Sequence, residues 1–281
     1  MTLFLNFRSS SKNGSFVAPR EALELDDPDV ALAFRLVSFA QLSERAVGKD
    51  VLFATHGFNV DQERGARALA RLEREIQPTG AELFVGLLWP GDWWIPAINY
   101  PFAGSPAMSA GRELAKICDT CFKDAASLTY ASHSLGARVI LEAAQRTTRT
   151  ARTVCLTAAA VNRDCLVTEY GTAQRRSEGV SNLASKRDHV LKLAYPVGDL
   201  LADILHPDHG LLTPALGYRG PPRPIPANAR PAQIPELQEY DHGNYLPPGH
   251  PDPAEDDDGK WRKVARFIAN AFRRQSQPWP P

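Results

Sequence analysis

Residues 128–143 read LTYASHSLGARVILEA. Leu128 to Ser132 is a short apolar run of strand character, and 135–146 has the spacing of an amphipathic helix. Ser134 falls on the turn between them. A serine at the tip of such a turn is pressed into a tight, exposed backbone geometry, with its hydroxyl above the strand end and a helix N-terminus beneath it. Small neighbours are needed because the turn crowds its flanks. Gly136 satisfies this two residues later, and Ser132 stands two residues earlier where glycine is usual; serine is the next smallest choice. The bland alternative is an ordinary strand-to-helix turn capped by a serine. The clean strand before it and the clean helix after it favour Ser134 as a nucleophile.

The same alternation continues outward. Residues 51–55 (VLFAT) form a compact apolar run, followed by a helix from about Asp61 with Leu69, Leu72 and Ile76 on one face. Strands are expected at 83–88 (LFVGLL), 152–158 and 180–185, an edge strand at Leu3 to Phe7, a long helix from about Val190 to Leu205, and a last strand at Glu236 to Asp241. Short apolar strands alternating with helices predict an α/β protein built on a mostly parallel central sheet with helices on both faces. No repeat or linker divides the chain, so one domain over 1–281 is expected. Residues 213–235 hold seven prolines and read as a surface excursion. Residues 255–274 read as a C-terminal helix whose acidic start and basic end complement its dipole.

Composition bounds the function. Hydrophobic residues make up 43% of the 281 positions, and 32 basic residues balance 32 acidic ones. A sizeable core is therefore expected. There is no electrostatic pull toward nucleic acid. No stretch approaches the roughly 18 apolar residues of a membrane span, and the opening MTLFLNFRSS has neither a basic leader nor a long apolar run. A cytoplasmic location is expected. Cys118 and Cys121 form a lone CxxC on a helical stripe with Leu114, Ile117 and Phe122, so both read as core, and no second pair completes a zinc site. No metal and no cofactor are expected.

A serine needs a base to accept its proton and donors to hold an oxyanion. His56-Gly57-Phe58-Asn59 directly follows the 51–55 strand. With SHSLG downstream, this order resembles the α/β-hydrolase superfamily, whose His-Gly motif shapes the oxyanion hole. The resemblance implies that the backbone amides of Phe58 and Leu135 point at the oxyanion. It also implies the chain order nucleophile, acid, histidine, with the last two on loops after late strands. Of the seven histidines, His242 in YDHGNY lies just past the expected last strand. There Gly243 would let the loop bend and Tyr245 could pack on the ring. His250 sits among prolines, His206 and His209 lie after a helix, and His189 reads as a helix-start residue. Members of the superfamily often carry an aspartate three residues after a serine at a strand end, which Ser185-Lys186-Arg187-Asp188 matches. Asp199 is the rival acid, placed mid-helix by the spacing, and a plain helix cap is the bland reading of Asp188.

The set HGFN, Trp89-Pro90-Gly91, SHSLG, SKRDHVL and HGNY, spanning about residues 50–246, resembles a poorly characterised bacterial group of esterase- or lipase-like α/β-hydrolases. It implies a small-molecule ester as substrate. Trp89, Trp93 and Trp94, with His56 and His133, are the expected substrate-contacting residues; a self-contained loop core is the alternative for the tryptophans. A non-catalytic binding protein on the same fold, or a thioesterase, peptidase or acyltransferase using the same residues, stays open from sequence.

Overall fold

The computed structural model describes residues 1–30, 32–92, 100–194, 214–252, 254 and 257–281. The strands are β1 (Thr2–Asn6), β2 (Glu21–Leu25), β3 (Phe34–Ser38), β4 (Asp50–Thr55), β5 (Glu82–Leu88), β6 (Ser127–His133), β7 (Ala151–Thr157), β8 (Ser177–Ser185) and β9 (Ala229–Ile234). They form one sheet in the order β3-β2-β1-β5-β4-β6-β7-β8-β9. β1 pairs parallel to β5, and β4, β6, β7, β8 and β9 continue in parallel, whereas β2 is antiparallel to both its neighbours. The long helices are α1 (Phe39–Ala46), α2 (Gln62–Ile76), α3 (Tyr100–Thr120) and α4 (Gly136–Arg146), with a C-terminal helix at Trp261–Phe272.

Side-chain alternation along β4, β5 and β6 places the helices on two faces. Phe53 stacks on its register partner Tyr130 at 5.5 Å and meets Phe122 edge-on. Cys118 of α3 approaches the Tyr130 hydroxyl at 3.4 Å. One residue further, Ala54 and Ala131 align with Gly86, where a Cβ would sit 3.3 Å from Leu69 of α2. Successive side chains point to opposite faces, so α3 and α2 cover opposite sides. The strands between them are buried on both faces, and β4 and β5 are therefore near-continuous apolar runs rather than alternating ones.

Three expectations need correction, and a fourth lies partly outside the described residues. The first strand is no edge: β2 and β3 flank β1 on the outside. The last strand is Ala229–Ile234, inside the proline-rich stretch. Among the described residues it pairs with β8 alone, and a strand at the end of a sheet tolerates Pro231 where its nitrogen faces away from the ladder. Glu236–Gln238 is a single turn of 3-10 helix with Leu237 at 95% exposure. Part of the long helix expected from Val190 lies outside the described residues, and its start, Val190–Ala194, is one wide π turn. The C-terminal helix opens at Trp261, past Asp257 and Asp258, rather than at 255; Glu255 and Asp256 lie outside the described residues. Asp257 accepts from the Trp261 indole at 2.8 Å and from Arg262.

The parallel strands all end on one edge, the edge where an open α/β sheet gathers its loops. Residues 56–60 leave β4 there, 89–92 leave β5, Ser134 follows β6, Asp188 follows β8, and the 240–245 segment comes after β9.

Candidate active site

Between β6 and α4, Ser134 adopts a left-handed backbone with φ of +54°. For a residue with a Cβ this costs about 1–2 kcal/mol and persists only where the surroundings over-determine it. Here the Ser134 amide donates to Thr157 O at 3.1 Å, and its carbonyl accepts from Ala137 N and Ala160 N, both at 3.1 Å. The loop after β4 presses from the other side. A Cβ at Gly57 would lie 2.8 Å from Ser134 Cβ, and one at Gly136 would lie 2.4 Å from His56 O. The two motif glycines thus let the 56–59 loop and the serine turn touch. The hydroxyl is less open than the turn geometry predicts, since Ser134 is 4% exposed.

Ser134 Oγ lies 2.7 Å from His242 Nε2, and His242 Nδ1 lies 2.7 Å from Asp188 Oδ2. Asp188 is fully buried and its other oxygen accepts the Leu191 amide at 2.8 Å. A carboxylate fixed at Nδ1 selects the tautomer that leaves Nε2 bare toward the hydroxyl, and such a relay can move a proton from oxygen to imidazole. The structure therefore brings together Ser134, His242 and Asp188. His189 lies outside this relay, and Asp199, His206 and His209 lie outside the described residues.

The segment carrying His242 is tied at several points. Ser185 Oγ donates to Tyr240 O at 2.7 Å, and His133 Nε2 donates to His242 O at 2.9 Å. Asp241 crosses back to the other loop: its Oδ1 accepts the amides of His189 and His242 at 2.9 and 2.8 Å, and its Oδ2 faces His189 Nδ1 at 3.3 Å. Burial pushes the Asp241 carboxyl up, but the His189 and His242 amides and the His189 ring outweigh it and hold the group below the usual carboxylate value. Sequence reasoning missed Asp241. Gly243 has open space where its Cβ would be, so the bend does not depend on it. The ring beside His242 is His133, at 4.8 Å, with Tyr245 stacked on His133 at 6.0 Å.

The expected substrate-contacting residues divide. Trp93 and Trp94 lie outside the described residues. Trp89 is wholly buried, stacked on His56 at 5.7 Å with its indole donating to His56 O at 3.0 Å; it supports the loop from behind and is not part of a wall. His56 is buried too, its Nδ1 bonded to Gly57 O at 2.8 Å, and burial drives its pKa down to about 4, so the ring is neutral. Burial, reinforced by the neighbouring His242, likewise holds His133 far below the usual histidine value. His133 borders a cleft of about 240 Å³ that runs along Gly243, Leu246, Arg64, Asp258 and Trp261. The 56–59 loop is anchored at Asn59, whose amide donates to Gly91 O at 2.7 Å, one residue past Phe58. Leu135 is buried at the head of α4.

No helix among the described residues is long and apolar enough to cross a membrane. In comparisons with known proteins, a family described as "Alpha/beta hydrolase of unknown function (DUF900)" matches residues 37–202. That segment holds Ser134 and Asp188, while His242 lies beyond it. No curated protein matches. Among solved structures, an esterase from Pyrobaculum calidifontis is similar at 14% identity, covering 82% of this chain and 78% of that one, with a TM-score of 0.43. Esterase B from Lactobacillus rhamnosis is similar at 9% identity over 82% and 78% of the two chains (TM-score 0.42). Carboxyl esterase 2 from the fungus Tuber melanosporum is similar at 13% identity over 95% and 89% (TM-score 0.42).

Proposed function

Because the chain belongs to the α/β-hydrolase family DUF900, we propose that it is a serine hydrolase that cleaves small carboxylic esters through an acyl-enzyme on Ser134. The observation that carries this reading is the unbroken relay of two 2.7 Å contacts from Ser134 Oγ through His242 to the buried Asp188.

In this mechanism Ser134 Oγ attacks the ester carbonyl carbon as its proton passes to His242 Nε2. The carbonyl electron pair moves onto oxygen, where the Phe58 and Leu135 amides receive it. Each such donor contributes about 10²–10³ in kcat. Collapse of the tetrahedral adduct breaks the bond to the alcohol, which leaves with the proton from His242. Water then attacks the acyl carbon, His242 takes its proton, and the acid departs as Ser134 recovers its hydrogen. Asp188 holds the ring's tautomer and stabilises the imidazolium as it forms. The cleft beside His133 receives part of the substrate. Trp93 and Trp94, next in sequence after Asp92, are assigned in this proposal to the acyl or alkyl group of the substrate.

Labelling with a fluorophosphonate probe, followed by mapping of the modified residue, tests this reading. Modification of Ser134, lost in Ser134→Ala with an unchanged melt, supports it. Label on Ser132, or label that survives in Ser134→Ala, removes Ser134 as nucleophile. A wild-type protein that never labels and hydrolyses no short-chain ester is instead a binding protein on this fold.

A further inference from the structure

The N-terminal stretch, which precedes the family-matched segment at 37–202, sends one side chain to the loop that shapes the oxyanion site. Arg8 follows β1 and its side chain is wholly buried. All five guanidinium hydrogens have acceptors. Nε donates to Ser10 O at 3.2 Å. Nη1 donates to Trp89 O at 2.9 Å and, more weakly, to Val60 O at 3.4 Å. Nη2 donates to Ser11 O at 3.1 Å and to Asp92 Oδ1 at 2.6 Å. A planar fork of five donors makes these five bonds at once, whereas a lysine ammonium has three donors on one compact centre and leaves at least two of the acceptors unmet.

Those segments matter because the turn at 89–92 holds the 56–60 loop at two points. The Trp89 indole donates to His56 O at 3.0 Å, and Gly91 O accepts the Asn59 amide at 2.7 Å. Phe58 lies between these anchors in sequence, next to Gly57, where an added Cβ would sit 2.8 Å from Ser134 Cβ. The second Asp92 oxygen accepts the Asn13 amide at 2.8 Å, and Ser11 O accepts the Gln62 amide at 2.9 Å. The guanidinium is thus the hub on which the N-terminal loop, the 89–92 turn and the far end of the 56–60 loop converge.

We propose that Arg8 is a positioning residue that sets the oxyanion-binding loop, acting through the 89–92 turn and Val60. The catalytic part of this inference rests on the reading of Ser134 and Phe58 given above. A donor displaced by about 1 Å can cost about two powers of ten in rate, so the loop's fixation has a kinetic consequence and not only a structural one.

Arg8→Lys tests it with two readouts. The first is amide hydrogen exchange over residues 56–60, expected to rise at least tenfold while residues 127–146 exchange as in the wild type. The second is kinetic: kcat on p-nitrophenyl butyrate and affinity for an aryl trifluoromethyl ketone, which forms an oxyanion adduct, should both fall at least tenfold with KM within threefold. Unchanged exchange over 56–60 overturns the proposal, and so does faster exchange with unchanged kcat and ketone affinity. Should Arg8→Lys fail to fold, Asp92→Asn carries the same two measurements. A wild type that neither turns over the ester nor binds the ketone overturns the hydrolase reading and the kinetic part with it. The exchange arm still decides whether Arg8 fixes the loop.

Discussion

His133 Nε2 donates to the backbone carbonyl of His242 across 2.9 Å. The residue before the proposed nucleophile therefore holds the backbone of the residue that contacts the nucleophile's oxygen. β6 sets the serine and, one position earlier, the distance to its base. Burial keeps His133 neutral, which suits a single donated hydrogen bond. His133→Phe keeps a ring beside His242 and Tyr245 but removes the donor. It should lower kcat by about ten- to a hundredfold, the scale of a roughly 1 Å misplacement, with little change in KM. His133→Gln can present an amide hydrogen near the same point and should recover most of that loss. Equal kcat in the two variants would show that the ring alone matters.

Gly136→Ala sets two effects against each other. Inside a helix, alanine gains about 1 kcal/mol over glycine. The added Cβ would meet His56 O at 2.4 Å and Thr55 Cγ2 at 2.8 Å, and a backbone oxygen held by the Trp89 indole has little room to retreat. Overpacking of this kind costs about 1–3 kcal/mol, so the variant should be less stable by urea denaturation and slower on esters. Gly243→Ala meets nothing within 4 Å and should stay within about 0.5 kcal/mol of wild type. A stabilised Gly136→Ala protein would mean that the two loops are not in contact.

The legibility of this chain was uneven for physical reasons. β4 and β5 announce themselves as apolar runs, and β6, β7 and β8 as shorter apolar stretches interrupted by buried serines, threonines and an asparagine. β2 (EALEL) and β3 (FRLVS) form the other flank of the sheet, with Leu36 64% exposed, and their short mixed sequences carry no period to read. β9 hides behind Pro231 because proline signals a loop wherever both sides of a strand must pair. The candidate site was legible in part. Strand-turn-helix context marks Ser134, but Asp-His occurs at 188–189, 208–209 and 241–242, and spacing cannot say which aspartate meets which histidine. The folded chain crosses two of these pairs, Asp188 with His242 and Asp241 with His189. Arg8 left no signal, since an arginine just past a strand usually reads as a solvated turn.

Histidine burial gives the protein an acid limb. His56 binds a proton near pH 4 when folded and near 6.5 when unfolded. A folded value below the unfolded one means that the unfolded chain takes up protons first, so stability is lost as pH falls from about 6.5 to about 4. A shift of that size corresponds to about 3 kcal/mol at its full extent. His56→Asn keeps a donor for Gly57 O but does not titrate. The fall in unfolding free energy between pH 7 and pH 4 should be shallower in His56→Asn by close to one proton. Parallel curves for the two proteins would place the His56 ring in contact with water.

The acid and base are separable because charge and tautomer act differently on stability and rate. Asp188→Asn is isosteric. Its amide can donate toward His242 Nδ1, which moves the ring hydrogen to Nε2, the atom that must accept from Ser134. By this route kcat should fall about 10³–10⁴-fold while stability changes little. His242→Ala removes the acceptor altogether, with a comparable loss in kcat. It also strips the buried Asp188 carboxylate of its partner at 2.7 Å, leaving the Leu191 amide among the contacts described for it. Breaking a buried pair on one side costs about 3–5 kcal/mol, so His242→Ala should melt well below Asp188→Asn. Neutralising the stranded carboxylate in the double variant should recover much of that stability. Groups that work as one unit lose activity once, not twice, so the double variant should be about as slow as His242→Ala alone. An Asp188→Asn enzyme that keeps more than about a tenth of wild-type kcat would break this scheme, because an imidazole in the wrong tautomer cannot supply that rate. The acid would then have to be sought at Asp199, with Asp188 left as the helix cap that its 2.8 Å bond to the Leu191 amide also describes.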